Sequence, residues 1–128
     1  MGGWGELLSP VEIIDVMRYV RSLQLPLPAG MTRAGLDVLV GERIYREHCV
    51  VCHGDKGDGQ TPLSQALLPR PRDFTNAQEM GRISDKEMAQ RIIHGRPGTA
   101  MAPWAGVLNA EDIRRVILFI RQTFQRAR

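Results

Sequence analysis

The sequence predicts an all-α fold, and three observations carry that prediction. Apolar residues recur at helical spacing in separate segments, several of them opened by a serine or asparagine cap. Glycine- and proline-rich stretches separate those segments. No segment shows the strict apolar/polar alternation of a half-buried strand.

Ser9 and Pro10 open the first helix, since serine is a strong N-cap and proline suits the first helical position. Ile13, Val16, Met17 and Val20 then recur at i, i+3, i+4 and i+7, an apolar face of about four turns. Pro26 and Pro28 cannot continue it, so residues 26–31 read as an extended linker. A second helix is predicted from Thr32 or Arg33 to His48, with Leu36, Leu39, Val40, Ile44 and Tyr45 on its buried side. Gly41 lies in the middle of that side, where glycine costs about 1 kcal/mol relative to alanine; it makes sense if another helix crosses very closely there.

The third helix of the core runs from Ser84 to about His94, with Ser84 and Glu87 fitting a capping box and Gly95 stopping it. Asn109 caps the last helix, with Asp112 in its third position. Ile113, Val116, Ile117, Ile120 and Phe124 form its apolar face. Between these helices lie a polar loop at 54–62, a proline-stiffened stretch at 69–75 and a loop at 95–104. The first loop lacks the alternating acidic ligands of a calcium site and the Gly-Lys-Ser/Thr ending of a phosphate loop.

Cys49-Val50-Val51-Cys52-His53 is the most specific stretch of the chain, and it uses both of its cysteines. Two cysteines three apart lie on one side of a helical turn, and a histidine follows the second directly. That is the attachment signature of c-type haem: two thioethers to one porphyrin edge, and the imidazole under the iron. A structural zinc site would need a second pair of ligands, which is absent. A thioredoxin-like pair would follow a strand in an α/β pattern, also absent. A disulfide here would close too small a loop to gain much entropy.

A chain of 128 residues allows one compact domain. Hydrophobic residues make up 43% and charged residues 24%, ordinary for a soluble globular protein. No run approaches the ~20 apolar residues that span a bilayer. Aromatic residues at 5% are few for a core of this size, and a buried haem would supply the missing apolar bulk. The formal net charge is +3, and of the basic residues only Lys56 and Lys86 are lysines. Such a surface can steer an acidic partner. The arginines are scattered without a helix-turn-helix or stacking platform, which argues against nucleic acid.

Haem iron held by His53 leaves one axial position to fill. Met101, His94, His48, Met80 and Met88 are the available donors. Met88 and Met17 sit at helical positions that favour core packing. His48 shares a turn with the motif and cannot readily reach the opposite haem face. His94 ends a helix, where the dipole favours it. Met101 lies in a loop between Gly98 and Pro103 and is the leading candidate, with His94 or an open site as the alternatives.

Residues from about Thr32 to Phe124 resemble a class I c-type cytochrome domain. The resemblance rests on Gly41 and Tyr45, the CxxCH motif at 49–53, Pro71-Arg72-Asp73-Phe74-Thr75, Gly98-Thr99-Ala100-Met101, and Phe119 in the last helix. It implies the class I cytochrome c fold around one covalent haem c, with an extra N-terminal helix. It also implies a close crossing of the first and last domain helices at Gly41 against Phe119. Pro62 matches the proline whose carbonyl accepts the proximal imidazole N–H. Arg72, or Arg70, is placed to face the haem propionates. Haem attachment in such proteins is extracytoplasmic, so a periplasmic location follows; the N-terminus lacks the pattern of an export signal.

An internal repeat extends the picture. Met1-Gly2-Gly3-Trp4 aligns with Met101-Ala102-Pro103-Trp104, followed by Leu8 with Leu108, Ile13 with Ile113, Val16 with Val116 and Tyr19 with Phe119. Residues 1–25 are therefore expected to be the tail of a preceding cytochrome domain with Met1 as its axial methionine, residues 26–31 a linker, and residues 32–128 the cytochrome domain proper. The alternative is a start methionine followed by an N-terminal extension. The helix at 9–23 would then need cover from this domain, a preceding haem domain or a second copy.

The expected function is single-electron transfer between redox partner proteins, with His53 and Met101 filling both axial positions. The alternatives are an electron-delivery domain of a larger oxidase or reductase, and a sensor or peroxidase-like haem with a displaceable ligand.

Overall fold

The computed structural model describes Ser9, residues 11–13, Leu27 and residues 29–125. The chain divides into two compact units, Met1–Met31 and Thr32–Arg128. In the first, residues 11–13 are helical, and Ser9 and Glu12 cap each other: the Ser9 N–H donates to Glu12 Oε2 at 2.7 Å. Most of the predicted helix at 9–23, with Val16, Met17 and Val20, lies outside the described residues.

The described residues of the second unit carry six helices and no strand beyond an isolated bridge between Ala105 and Leu108. They are α1 (Arg33–His48), α2 (Val50–His53), α3 (Pro62–Gln65), α4 (Ala77–Gly81), α5 (Asp85–His94) and α6 (Ala110–Phe124). The caps read from sequence act as expected. Ser84 and Glu87 form a capping box at α5, and Asn109 and Asp112 form one at α6. Gly95 ends α5 with φ +66°, a conformation that side chains with a Cβ resist. The turns α3 and α4 were not legible as apolar periodicity, because each is a single capped turn. Thr61 with Ser64 caps α3, and Asn76 caps α4.

α1 and α6 make the frame. A Cβ built on Gly41 would stand 2.0 Å from the Arg115 carbonyl oxygen and 3.0 Å from Phe119 Cβ. The helices therefore touch backbone to backbone, and the energetic cost of a mid-helix glycine is offset by that approach. Phe119 packs on Tyr45 with ring centroids 5.4 Å apart, and Phe124 does so at 5.3 Å. The α6 face of Ile113, Val116, Ile117, Ile120 and Phe124 is buried as predicted. On α1 the prediction needs one correction. Leu39 is 50% exposed, and Asp37 is buried instead. Asp37 is two residues off Leu39 toward the crossing, where Arg114 NH2 and Arg115 Nε meet its carboxylate at 2.7 and 2.9 Å. Those two arginines hold the Asp37 carboxyl below its usual range.

Candidate haem site

A cavity of about 420 Å³ is lined by the Cys49–His53 turn, by α5 and by the 95–104 loop. Its volume is that of a cofactor or small-ligand site. Val116 and Ile120 of α6 and the buried Met80, Ile83 and Met88 give it an apolar floor. Arginines stand at its wall: Arg70, Arg72, Arg91 and Arg96.

The attachment turn is held from behind. The Tyr45 hydroxyl, buried on α1, donates to the Gly54 carbonyl at 2.7 Å, just past His53. Cys49 and Cys52 both line the cavity as free, half-buried thiols. Burial, and secondarily Cys52, pushes the Cys49 thiol up to about 12. A thiol so protonated is a poor nucleophile at neutral pH, which disfavours a thioredoxin-like redox pair.

His53 also lines the cavity. Its Nδ1 lies 3.2 Å from the Arg72 carbonyl oxygen. A carbonyl only accepts, so Nδ1 carries the proton and Nε2 keeps its lone pair for a metal. Burial lowers the His53 pKa and keeps the ring neutral, while the Phe74 ring stacks on it at 4.4 Å and 13°. The expectation for Pro62 is corrected here. Pro62 is the exposed first residue of α3, outside the cavity wall, and the carbonyl on His53 is that of Arg72. The reason is the course of the 71–74 segment: the Phe74 N–H donates to the Gly57 carbonyl at 2.7 Å, drawing this segment alongside the imidazole.

The 95–104 loop is folded on itself. The Arg96 N–H donates to the Met101 carbonyl at 3.0 Å. Thr99 Oγ1 donates to the Arg96 carbonyl at 2.7 Å and accepts the Met101 N–H at 3.2 Å. A Cβ at Gly95 would lie 2.6 Å from the Met101 carbonyl oxygen, so the glycine that stops α5 also lets the loop close. The N–H groups of Trp104 and Ala105 donate to the Ile92 and Ile93 carbonyls and moor the loop to α5. Met101 is half-buried on the cavity wall, whereas His94 is exposed and does not line it. Met80 and Met88 line it from buried helical positions. His48 lines it too, its ring 5.0 Å from that of Trp104.

Sequence reasoning missed the stacking by Phe74, the Tyr45–Gly54 tether and the approach of Arg91 and Arg96. Only Phe74 left a signal, as a lone aromatic in a polar, proline-stiffened stretch.

Two thiols three residues apart, an imidazole with a free Nε2, thioether sulfurs and arginines around an apolar slot form the donor set of a haem held covalently. The residues fit that group, and they define a c-type cytochrome domain. Residues 37–120 match the model of the family described as cytochrome C oxidase, cbb3-type, subunit III, and the chain belongs to that family. It is 34% identical over 113 residues to the cbb3-type cytochrome c oxidase subunit FixP of Bradyrhizobium sp. (strain ORS 278), covering 88% of this chain and 35% of FixP. It is 31% identical over 93 residues to cytochrome c55X of Stutzerimonas stutzeri, covering 70% of this chain and 66% of that protein. Among solved structures, the KustC0563 c-type cytochrome superposes with a TM-score of 0.59 at 29% identity, over 66% of this chain and 96% of that one. The chain thus spans about a third of the length of its FixP relatives. Its cofactor is haem c, attached through Cys49 and Cys52, and the domain is a haem-based electron carrier. No helix of the described residues is long and apolar enough to cross a membrane.

Proposed function

We propose that His53 and Met101 would hold the haem iron, and that this domain relays single electrons within a terminal oxidase of the cbb3 type. The observation that carries the reading is the His53 Nδ1 bond to the Arg72 carbonyl, which leaves Nε2 free on a cavity that Met101 also lines. Haem c supplies a one-electron iron couple, and soft thioether ligation raises its potential. The protein's residues do the rest. Phe74 and the Arg72 carbonyl fix the imidazole plane, the Arg96–Met101 bond holds the sulfur-bearing segment, and the apolar floor excludes water. With His53 and Met101 both engaged in holding the group, the site would serve electron exchange and not substrate binding.

The redox partners are proteins with acidic faces, given the arginine-rich cavity wall, and the location is extracytoplasmic. Residues 1–25 form the tail of a preceding haem domain, 26–31 a linker and 32–128 this domain. The Met1/Met101 repeat supports that division, as does the fraction of FixP that the chain spans. A reading frame without a second CxxCH upstream would remove it.

The axial assignment is tested by absorption spectroscopy of the oxidised protein. A sulfur-to-iron charge-transfer band is expected. Met101→Ala should abolish it, lower the potential and open the iron to carbon monoxide in the reduced state. Met80→Leu and Met88→Leu should keep the band. Its persistence in Met101→Ala would transfer the role to one of those two sulfurs.

A further inference from the structure

One ionisable side chain on the cavity wall has no part in holding the haem. Of the others, Cys49 and Cys52 are consumed by the thioethers and His53 by the iron. Arg70, Arg72, Arg91 and Arg96 keep their charge, since a guanidinium is not deprotonated in proteins. Glu47 is an exposed carboxylate, a class that ordinarily titrates far below neutrality. That leaves His48. Imidazole is the side chain that ordinarily gains and loses a proton between pH 5 and 8. His94 shares that chemistry but is exposed and does not line the cavity.

His48 is the last residue of α1, one position before Cys49. Its ring leans on that of Trp104 at 53°, with centroids 5.0 Å apart. Trp104 is itself moored to α5, its N–H donating to the Ile92 carbonyl at 2.9 Å. The imidazole is therefore packed beside the cofactor space, while 28% of its side chain still meets solvent and can exchange protons there. The 95–104 loop presents it with an uncharged indole. Its own helix presents Glu47, with Oε2 3.8 Å from His48 Nε2, and that carboxylate also meets Arg43 at 3.9 Å. Among the described residues no other carboxylate lies within ion-pair distance of His48.

We propose that His48 is a redox-linked proton site, binding a proton when the domain is reduced and releasing it on oxidation. The proposal rests on the axial reading above, in which His48 holds no iron. One electron arrives from the redox partner and lowers the charge at the iron by one unit. One proton moves from solvent to the ring nitrogen that neutral His48 leaves unprotonated, and no other bond is made or broken. The apolar floor between them screens poorly, so each charge is felt at the other. The coupling is reciprocal: reduction tightens proton binding at His48, and a protonated His48 eases reduction by the same factor.

The experiment measures the midpoint potential of the haem-loaded chain from about pH 5 to 9. Raising the pH removes a cation beside the cofactor, so the wild-type potential should fall. Proton binding about fivefold tighter in the reduced state gives a total fall of about 40 mV, at about 59 mV per tenfold for one electron. His48→Gln should be flat over that range, and His94→Gln should keep the fall. If His48→Gln accumulates no holoprotein, nuclear magnetic resonance of the wild-type histidines decides: the His48 midpoint should lie higher in the reduced protein than in the oxidised. Equal midpoints overturn the proposal. So does a fall that persists in His48→Gln, which would give the proton to another group such as the haem carboxylates. A flat wild-type profile under an intact sulfur-to-iron band overturns His48 alone; a band missing from wild type removes the axial reading and the proposal with it.

Discussion

At the α1–α6 crossing the chain fills its own space. Gly41 meets the Arg115 backbone with no room for a methyl group, and Tyr45, Phe119 and Phe124 close the angle between the helices. A few residues further along the same helices, Val116 and Ile120 face a cavity of about 420 Å³ whose other walls are loops. The crossing is specified by residues that exclude one another. The cavity is specified by residues that share a ligand. The crossing should answer most sharply to a change of shape, and the cavity to loss of its ligand.

The largest effect is expected from removing the ligand. Without the haem, the apolar residues lining the 420 Å³ cavity lose their packing partner and face water. Cys49→Ala with Cys52→Ala, which cannot form the thioethers, should therefore lose cooperative thermal unfolding and near-ultraviolet dichroism. A variant that unfolds cooperatively near the wild-type temperature would mean that the walls support themselves.

Next comes Gly41→Ala. Its Cβ would overlap the Arg115 carbonyl at 2.0 Å, and backbone cannot rotate away as a side chain can. A loss of about 3 kcal/mol is expected in denaturant titration of the holoprotein, at the upper end for overpacking. The absorption spectrum should hold, because no ligand contact changes. A loss under 1 kcal/mol would show that the helices can part at little cost.

Tyr45→Phe probes the seam between the two regions. It deletes the hydroxyl that donates to the Gly54 carbonyl at 2.7 Å; that carbonyl keeps the Gly57 N–H at 3.1 Å, so the loss is one hydrogen bond, about 1 kcal/mol. Hydrogen exchange should quicken at the attachment turn and not at the α1–α6 contact. Uniform quickening would place the tether in the frame rather than the seam.

The two regions also differed in how far the sequence disclosed them. The crossing was legible because its signals are local and physical. A glycine in the middle of an apolar face has few explanations other than close approach, and the caps at Ser84 and Asn109 announce their helices within four residues. CxxCH was legible because thioether chemistry needs that spacing. What escaped was whatever depends on chain folding over long separations. The carbonyl that orients His53 belongs to Arg72 rather than Pro62, a choice made by the Phe74–Gly57 bond and invisible in either residue's own surroundings. Asp37 gave no sign of burial, since its partners Arg114 and Arg115 lie on the far helix.

That last pair sets the finest test of the comparison, because it asks whether the crossing is held by charge as well as by shape. Asp37 is buried at the edge of the helix contact, bonded to Arg114 and Arg115 at 2.7 and 2.9 Å. Arg114's bond first, and Arg115's next, lower its folded pKa. A carboxylate depressed in the folded state adds stability above its unfolded pKa of about 3.9, and that stability is lost as pH falls through the folded value. Asp37→Asn keeps the shape and removes the charge, at a cost of about 1 kcal/mol at pH 7, since both arginines are partly exposed. Wild type and variant should differ by a constant amount from pH 7 down to about 5 and then converge below the ordinary carboxylate range. Denaturant midpoints measured across that span decide it. A gap that persists undiminished at the acid end would assign the Asp37 contribution to hydrogen-bond geometry alone, and would leave the crossing, like the rest of the α1–α6 contact, a matter of fit.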